Sequence, residues 1–202
     1  PYPVPLAAKP SHACRRSPAS LQQSFHFEAP DTGTGIRVHR FPASAAMILV
    51  VMGVCGCGKT TVGRALAEAL DWPFHDADDF HPPANVAKMA AGQPLTDADR
   101  WPWLDRIAAE LKRVLASGGH AVLACSALKQ AYRDRLQAAG DVRIVYLKGD
   151  AATIAARLAD RKHQYMPASL LPSQFAALEE PADALVVDIR QPVAAQIQFV
   201  RD

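Results

Sequence analysis

Residues 53–61 read Gly-Val-Cys-Gly-Cys-Gly-Lys-Thr-Thr and follow directly on the apolar run Met47-Ile48-Leu49-Val50-Val51-Met52. Gly53, Gly58, Lys59 and Thr60 fit G-x-x-x-x-G-K-[ST], a loop that cradles phosphates when it joins a strand to a helix. Phosphate oxygens must come close to the main chain, so side chains are excluded at the glycines. The successive N–H groups of Gly53, Val54, Cys55, Gly56, Cys57, Gly58, Lys59, Thr60 and Thr61, with the helix N-terminus behind them, then face the anion. Lys59 would reach the β- and γ-phosphates of a nucleoside triphosphate, and the Thr60 hydroxyl would coordinate Mg²⁺.

Two other features bear on this loop. Cys55 and Cys57 occupy its variable positions, where side chains point away from the anion and small residues are tolerated. They are too close in sequence for an unstrained disulfide. Two readings of them stay open: small residues standing in for serine, or a thiol whose pKa is lowered near a helix N-terminus. The second feature is Asp76-Ala77-Asp78-Asp79-Phe80-His81, which ends the next apolar segment. The carboxyl end of a strand beside a phosphate loop lies over the ligand crevice. If the strand runs far enough, alternation puts Asp76 and Asp78 on one side, Asp76 to hold water on Mg²⁺ and Asp78 to accept a proton from an attacking hydroxyl. An acidic cap or solvated loop is the competing reading, above all for Asp79.

These groups need a scaffold, and the pattern from Met47 onward supplies one. Strand-like runs (residues 47–52, 72–80, 120–125, 142–149 and 184–189) alternate with helical periodicities in 61–71, 82–92, 97–119, 126–140, 150–163 and 169–179, before a short C-terminal helix. Such alternation predicts an α/β fold of the nucleotide-kinase type, with a five-stranded parallel sheet covered by helices on both faces. Residues 1–46 are rich in Pro, Ser, Ala and His and keep neither helical nor strand period, so they are expected to be a disordered extension. Seven prolines there oppose the amphipathic helix of a transit peptide.

Composition narrows the partners. The 202 residues carry a formal net charge of +2, too small to argue for nucleic acid. Five Lys/Arg against two Asp/Glu fall in residues 1–46, leaving the body near neutral. No apolar run approaches the roughly 20 residues of a membrane span. Four cysteines without a regular ladder do not suggest a secreted disulfide scaffold. A cytoplasmic protein is the expectation.

The blocks MGVCGCGKTTVG, DADDFHP, NVAKMAAGQPLTDADRWPWL, CSALKQAYRDRL, VYLKGD and RLADRKHQYMPASLLPSQFAALEEP, in this order, resemble the bacterial gluconokinases of the thermoresistant type. These are small P-loop kinases related to shikimate kinase. The resemblance covers residues 47–202 and none of 1–46. It implies phosphorylation of D-gluconate by ATP at the 6-hydroxyl, with Mg²⁺, and commonly a homodimer. A polyhydroxylated carboxylate needs hydrogen-bond acceptors for its hydroxyls and fixed cations for its charge. Asp78 is then the base, and His81, Lys88, Arg100, Lys129 and Arg133 are candidates for the sugar acid. Arg100 equally suits a surface cation against Trp101 or Trp103, and Lys129 and Arg133, four apart, equally suit a solvated basic face.

By the same resemblance Arg157 and Arg161 belong to a lid around residues 157–175 that closes over the transferred phosphate, although cations near a helix C-terminus are favourable for the dipole alone. Asp188, Gln191 and Pro192 resemble the segment that cups adenine, or form a plain turn. His163-Gln164 departs from the Gly-His that some relatives carry in the lid. Two readings compete with a gluconate kinase: a kinase of another hydroxy acid such as shikimate, and a nucleotide-binding switch or regulatory module without transfer chemistry.

Overall fold

The computed structural model describes residues 45–159 and 171–202. The expected extension, Arg161 and most of the expected lid therefore lie outside the described residues. The chain runs β1 (Ile48–Met52), α1 (Lys59–Leu70), β2 (Phe74–Asp76), α2 (Pro83–Ala90), α3 (Asp97–Ala116), β3 (Ala121–Ala124), α4 (Gln130–Gln137), β4 (Val142–Lys148), α5 (Ala151–Ala159), α6 (Leu171–Ala177), β5 (Ala184–Asp188) and α7 (Val193–Arg201). A 3₁₀ turn, Ala77–Phe80, sits between β2 and α2.

All pairings are parallel, in the order β2-β3-β1-β4-β5. This is the α/β architecture expected from the alternation of strand and helix periods. The chain leaves β1 for the edge strand β2, returns to β3, and then crosses to the other side of β1. The switch of direction falls at β1, so the crevice beyond its carboxyl end is where a ligand belongs in such a sheet.

Burial follows from the period of two along β1. Leu49 and Val51 face a core completed by Val62 and Leu66 of α1, Ile154 and Leu158 of α5, and Val200 of α7. Ile48, Val50 and Met52 face the other, completed by Leu104, Ile107 and Leu111 of α3 and Leu136 of α4. Every β1 residue is fully buried. A strand covered on both faces reads as a continuous apolar run for this reason.

Helix α3 carries much of the site and is held at both levels. Its start is a capping box, with the Thr96 hydroxyl accepting from the Asp99 amide and the Asp99 carboxylate accepting from the Thr96 amide. Its apolar stripe seals the sheet. Leu104→Ala should cost about 2–5 kcal/mol of stability through the lost contacts and the cavity left behind. Urea denaturation monitored by circular dichroism checks this, and a change within error of zero would mean α3 is not anchored as described.

Candidate active site

Gly53 takes the chain out of β1 at φ +144°, and a Cβ there would sit 2.8 Å from the Cys57 Sγ and 2.9 Å from the Leu147 carbonyl oxygen. Only glycine makes this exit without displacing backbone of β4. The loop closes with Gly58 in the left-handed region as the N-cap of α1, where no side chain caps the first turn. The N-terminal amides are thus left for an anion. The Lys59 ammonium folds back on its own loop and donates to the Val54 carbonyl at 3.2 Å.

Cys57 is buried in the core beneath the loop, and burial pushes its thiol pKa up. It therefore behaves as a small apolar residue, as the first of the two readings had it. Cys125 is buried too, its pKa pushed to about 12 by the same cause. Neither fits an activated thiol. The Cys55 amide donates to the Gln174 side-chain oxygen at 2.6 Å, a link from α6 to the loop.

The acids arrive by a different route from simple alternation. Strand β2 stops at Asp76, which pairs with Ala124 of β3, itself level with Val51 of β1. The register thus brings a carboxylate level with the loop across a strand whose end is small. Thr60 Oγ1 donates to Asp76 Oδ2 at 3.1 Å, and the other Asp76 oxygen accepts from the Asp78 amide at 3.2 Å. Asp76 thereby caps the 3₁₀ turn, and that turn rather than an extended strand positions Asp78. The Asp78 side chain is 87 % exposed, with its carboxylate base close to the protein surface around Asp76 and His81. That surrounding, with the negative charge of Asp76 second, raises its pKa, while Lys59 lowers it.

His81 has only 6 % of its side chain exposed and lies 3.9 Å from Asp78 through Nε2. Burial lowers its pKa, and Arg100 adds to the effect. The ring stacks on Trp103 at 4.4 Å, and the Trp103 indole N–H donates to the Ala77 carbonyl at 2.7 Å.

Beyond it lie three of the expected sugar-acid cations, each paired with a carboxylate of α3's first turn. Lys88 meets Asp99 at 2.6 Å, Lys129 meets Asp97 at 2.5 Å, and Arg100 lies 3.6 Å from Asp97. The Tyr132 hydroxyl also donates to Asp97, at 2.6 Å. These partners hold Asp97 below the usual carboxylate range, Lys129 first and Tyr132 second.

Arg133 departs from the expected basic face. It is 1 % exposed and donates to the carbonyls of Ala127 and Leu128 and to the Gln130 side chain. Ala127 has φ +42°, so Arg133 braces a turn in a backbone region that alanine seldom enters.

On the other side of the loop, a cavity of about 390 Å³ is lined by Cys57, Gly58, Thr61, Arg157, Gln191 and Pro192, among others. Arg157 donates to the Ile189 carbonyl. Gln191 and Pro192, which the resemblance assigns to the adenine segment, are among the residues lining this cavity. Asp188 instead pairs with Arg190 and lines a separate cavity of about 470 Å³ with Lys148 and Phe175.

Known proteins resemble this chain in sequence and fold. The shikimate kinase family model matches residues 55–191. The gluconokinase of Gluconobacter oxydans is 53% identical over 138 residues, which cover 67% of this chain and 76% of that protein. The chain belongs to the gluconokinase family. The thermoresistant gluconokinase of Escherichia coli K12 is 40% identical over 163 residues, covering 76% of this chain and 93% of that one. A crystal structure of a gluconokinase from Sinorhizobium meliloti 1021 superposes with a TM-score of 0.67 at 43% identity, over 79% of this chain and 90% of its own.

Sequence reading missed Asn85, Asp97, Asp99 and Tyr132 in this gluconokinase-family site. The Thr96-to-Asp99 spacing was the available signal for Asp99; Asn85 offered none. Asp99 is held down to about 2, by Lys88 first and then by Thr96, against an ordinary 3.8. A carboxyl depressed on folding contributes stability that is complete above its unfolded pKa and is lost as pH falls toward the folded value. The stability difference between the native chain and Asp99→Asn should therefore be largest at pH 6–7 and shrink on acidification from about pH 4 to 2. Denaturant melts across that range check it; a gap independent of pH would remove the ion pair from the account.

Proposed function

We propose that this chain transfers the γ-phosphoryl group of ATP to the 6-hydroxyl of D-gluconate, giving 6-phosphogluconate and ADP. Membership of the gluconokinase family supports a kinase that uses ATP. The observation that carries the transfer geometry is the Thr60–Asp76 hydrogen bond at 3.1 Å, which gathers the strand-end acids and the phosphate loop into one crevice.

In this reading the loop amides and Lys59 hold the β- and γ-phosphates, the Lys59 ammonium leaving the Val54 carbonyl for them. Thr60 and Asp76 present oxygen donors only, the hard set that suits Mg²⁺. Among the described residues no cluster of three or more His, Cys, Asp or Glu side chains could hold a metal. When bound, Mg²⁺ neutralises charge on the phosphate oxygens. Gln191 and Pro192 border the base, and Arg157, with Arg161, offsets charge on the transferred group.

Asp78 takes the proton as the sugar oxygen attacks the γ-phosphorus and the bond to ADP breaks. Its raised pKa suits a proton acceptor better than an ordinary surface carboxylate would. Lys88, Arg100 and Lys129 receive the substrate carboxylate and hydroxyls by exchanging Asp97 and Asp99 for them, while Arg133 supports the wall behind. No observation favours shikimate or a catalytically silent module. The proposal places residues 1–46 outside the catalytic unit, the enzyme in the cytoplasm, where free thiols such as Cys55, Cys57 and Cys125 persist, and two copies together as a dimer.

A coupled assay of ADP release with gluconate, shikimate, glycerate and AMP should show turnover with gluconate alone. Lys59→Ala should abolish it. Asp78→Asn should leave ATP affinity unchanged and lower kcat by about 10²- to 10⁴-fold. Full activity of Asp78→Asn on gluconate would refute the base assignment, and turnover with shikimate only would refute the substrate.

A further inference from the structure

The geometry points to Asn85 as a positioning residue that fixes the tautomer of His81 and, through its Nε2–H, the orientation of the Asp78 carboxyl. The inference rests on the role given to Asp78 above. Asn85 lies on α2 and is 3 % exposed. Its Nδ2 lies 2.8 Å from the Asp99 carbonyl oxygen and 3.4 Å from the His81 Nδ1. An amide nitrogen carries two hydrogens, and both are directed at acceptors here. The amide cannot be turned over, because its oxygen would then face the Asp99 carbonyl. That carbonyl is fixed in turn, since Asp99 is locked by the capping box and by Lys88.

The His81 Nδ1 is therefore an acceptor. A neutral imidazole that accepts at Nδ1 carries its hydrogen on Nε2, and burial with Arg100 nearby lowers the ring's pKa, which favours that neutral form. Nε2 is the atom that faces Asp78 Oδ1, at 3.9 Å. The ring has little freedom to turn, being stacked on Trp103, whose own N–H grips Ala77 immediately before Asp78. The exposed Asp78 side chain is the free member. A modest rotation brings it within hydrogen-bond range.

One Asp78 oxygen then accepts from His81 Nε2–H, and the other keeps a lone pair for the sugar hydroxyl. As the O–P bond to the sugar forms, the hydroxyl proton passes to that second oxygen and ADP departs with the electrons of the broken P–O bond. Asn85 touches neither substrate; it acts by aiming the base.

Two readouts test this on the full chain. In ¹⁵N-labelled protein, the two-bond ¹H–¹⁵N pattern of the His81 ring, assigned by its loss in His81→Gln, should be that of the Nε2–H tautomer. Asn85→Asp should convert it to an Nδ1–H or doubly protonated ring. The same variant should lose about 10- to 100-fold in kcat with unchanged ATP affinity and a cooperative melt. His81→Gln, which retains a side-chain N–H donor, should keep more of kcat than His81→Phe, which retains only the stacking ring. An Nδ1–H tautomer in the native chain would overturn the proposal, and so would native kcat in folded Asn85→Asp. Should Asn85→Asp fail to fold, equal rates in the two His81 variants would overturn it as well. A native chain inactive on gluconate would sink the substrate reading alone, because the tautomer is measured without substrate.

Discussion

The site depends on one constraint: a fully buried central strand has to end in a turn with no room for a side chain. β1 contacts apolar layers on both faces, so its position is set by packing on every side. At Gly53 the next Cβ would meet the Leu147 carbonyl at 2.9 Å, which leaves the loop a single path between β4 and α1. The amides that are to meet phosphate are therefore placed by the sheet itself. Such preorganisation matters in phosphoryl transfer, where the protein does little covalent chemistry and acts mainly by position and field.

The two halves of the crevice solve their electrostatics differently. On the proposed nucleotide side, the attraction would come from main-chain amides and one lysine that is only loosely tied to a loop carbonyl. On the sugar side, every cation called from the sequence except Arg133 already has a carboxylate partner. Lys129, Arg100 and Tyr132 converge on Asp97, and Lys88 on Asp99. Partly exposed pairs of this kind contribute little individually to stability. Their larger effect is to keep long cationic side chains oriented, so that a sugar acid meets an ordered array and loses less entropy on binding.

What was legible in the sequence is what local chemistry dictates. The strand–loop–helix around Lys59 could be read directly, because its glycines answer a backbone demand and the motif carries its own structural context. The alternation of apolar runs and helical stripes was enough for the five parallel strands. Asp78, the proposed base, was singled out for partly the wrong reason, since β2 stops two residues short of it and a 3₁₀ turn capped by Asp76 does the positioning. Arg133 was read as a candidate cation for the sugar acid, with a solvated basic face as the alternative, because an arginine four residues from a lysine looks like a surface pair; it is instead buried. Only the fold reveals two carbonyls, near a strained Ala127, waiting for its guanidinium. Asn85 could not be read at all, because its significance lies in partners from two other segments, His81 after the 3₁₀ turn and Asp99 of α3.

That last case shows how α3 unites the site. Its first turn offers the Asp99 carbonyl to Asn85, the Asp99 carboxylate to Lys88, and Asp97 to Lys129 and Tyr132; a turn later Trp103 stacks on His81 and holds Ala77. The same helix buries Leu104, Ile107 and Leu111 against the sheet. A shift of α3 along its axis would therefore move the sugar-acid cations, the histidine and the 3₁₀ turn bearing Asp78 together. Their mutual geometry is conserved in such a motion, and only their distance from the phosphate loop changes. The Thr60–Asp76 hydrogen bond spans that gap, joining the 3₁₀ turn to the first turn of α1. It is the point at which the sugar half and the nucleotide half are brought into register.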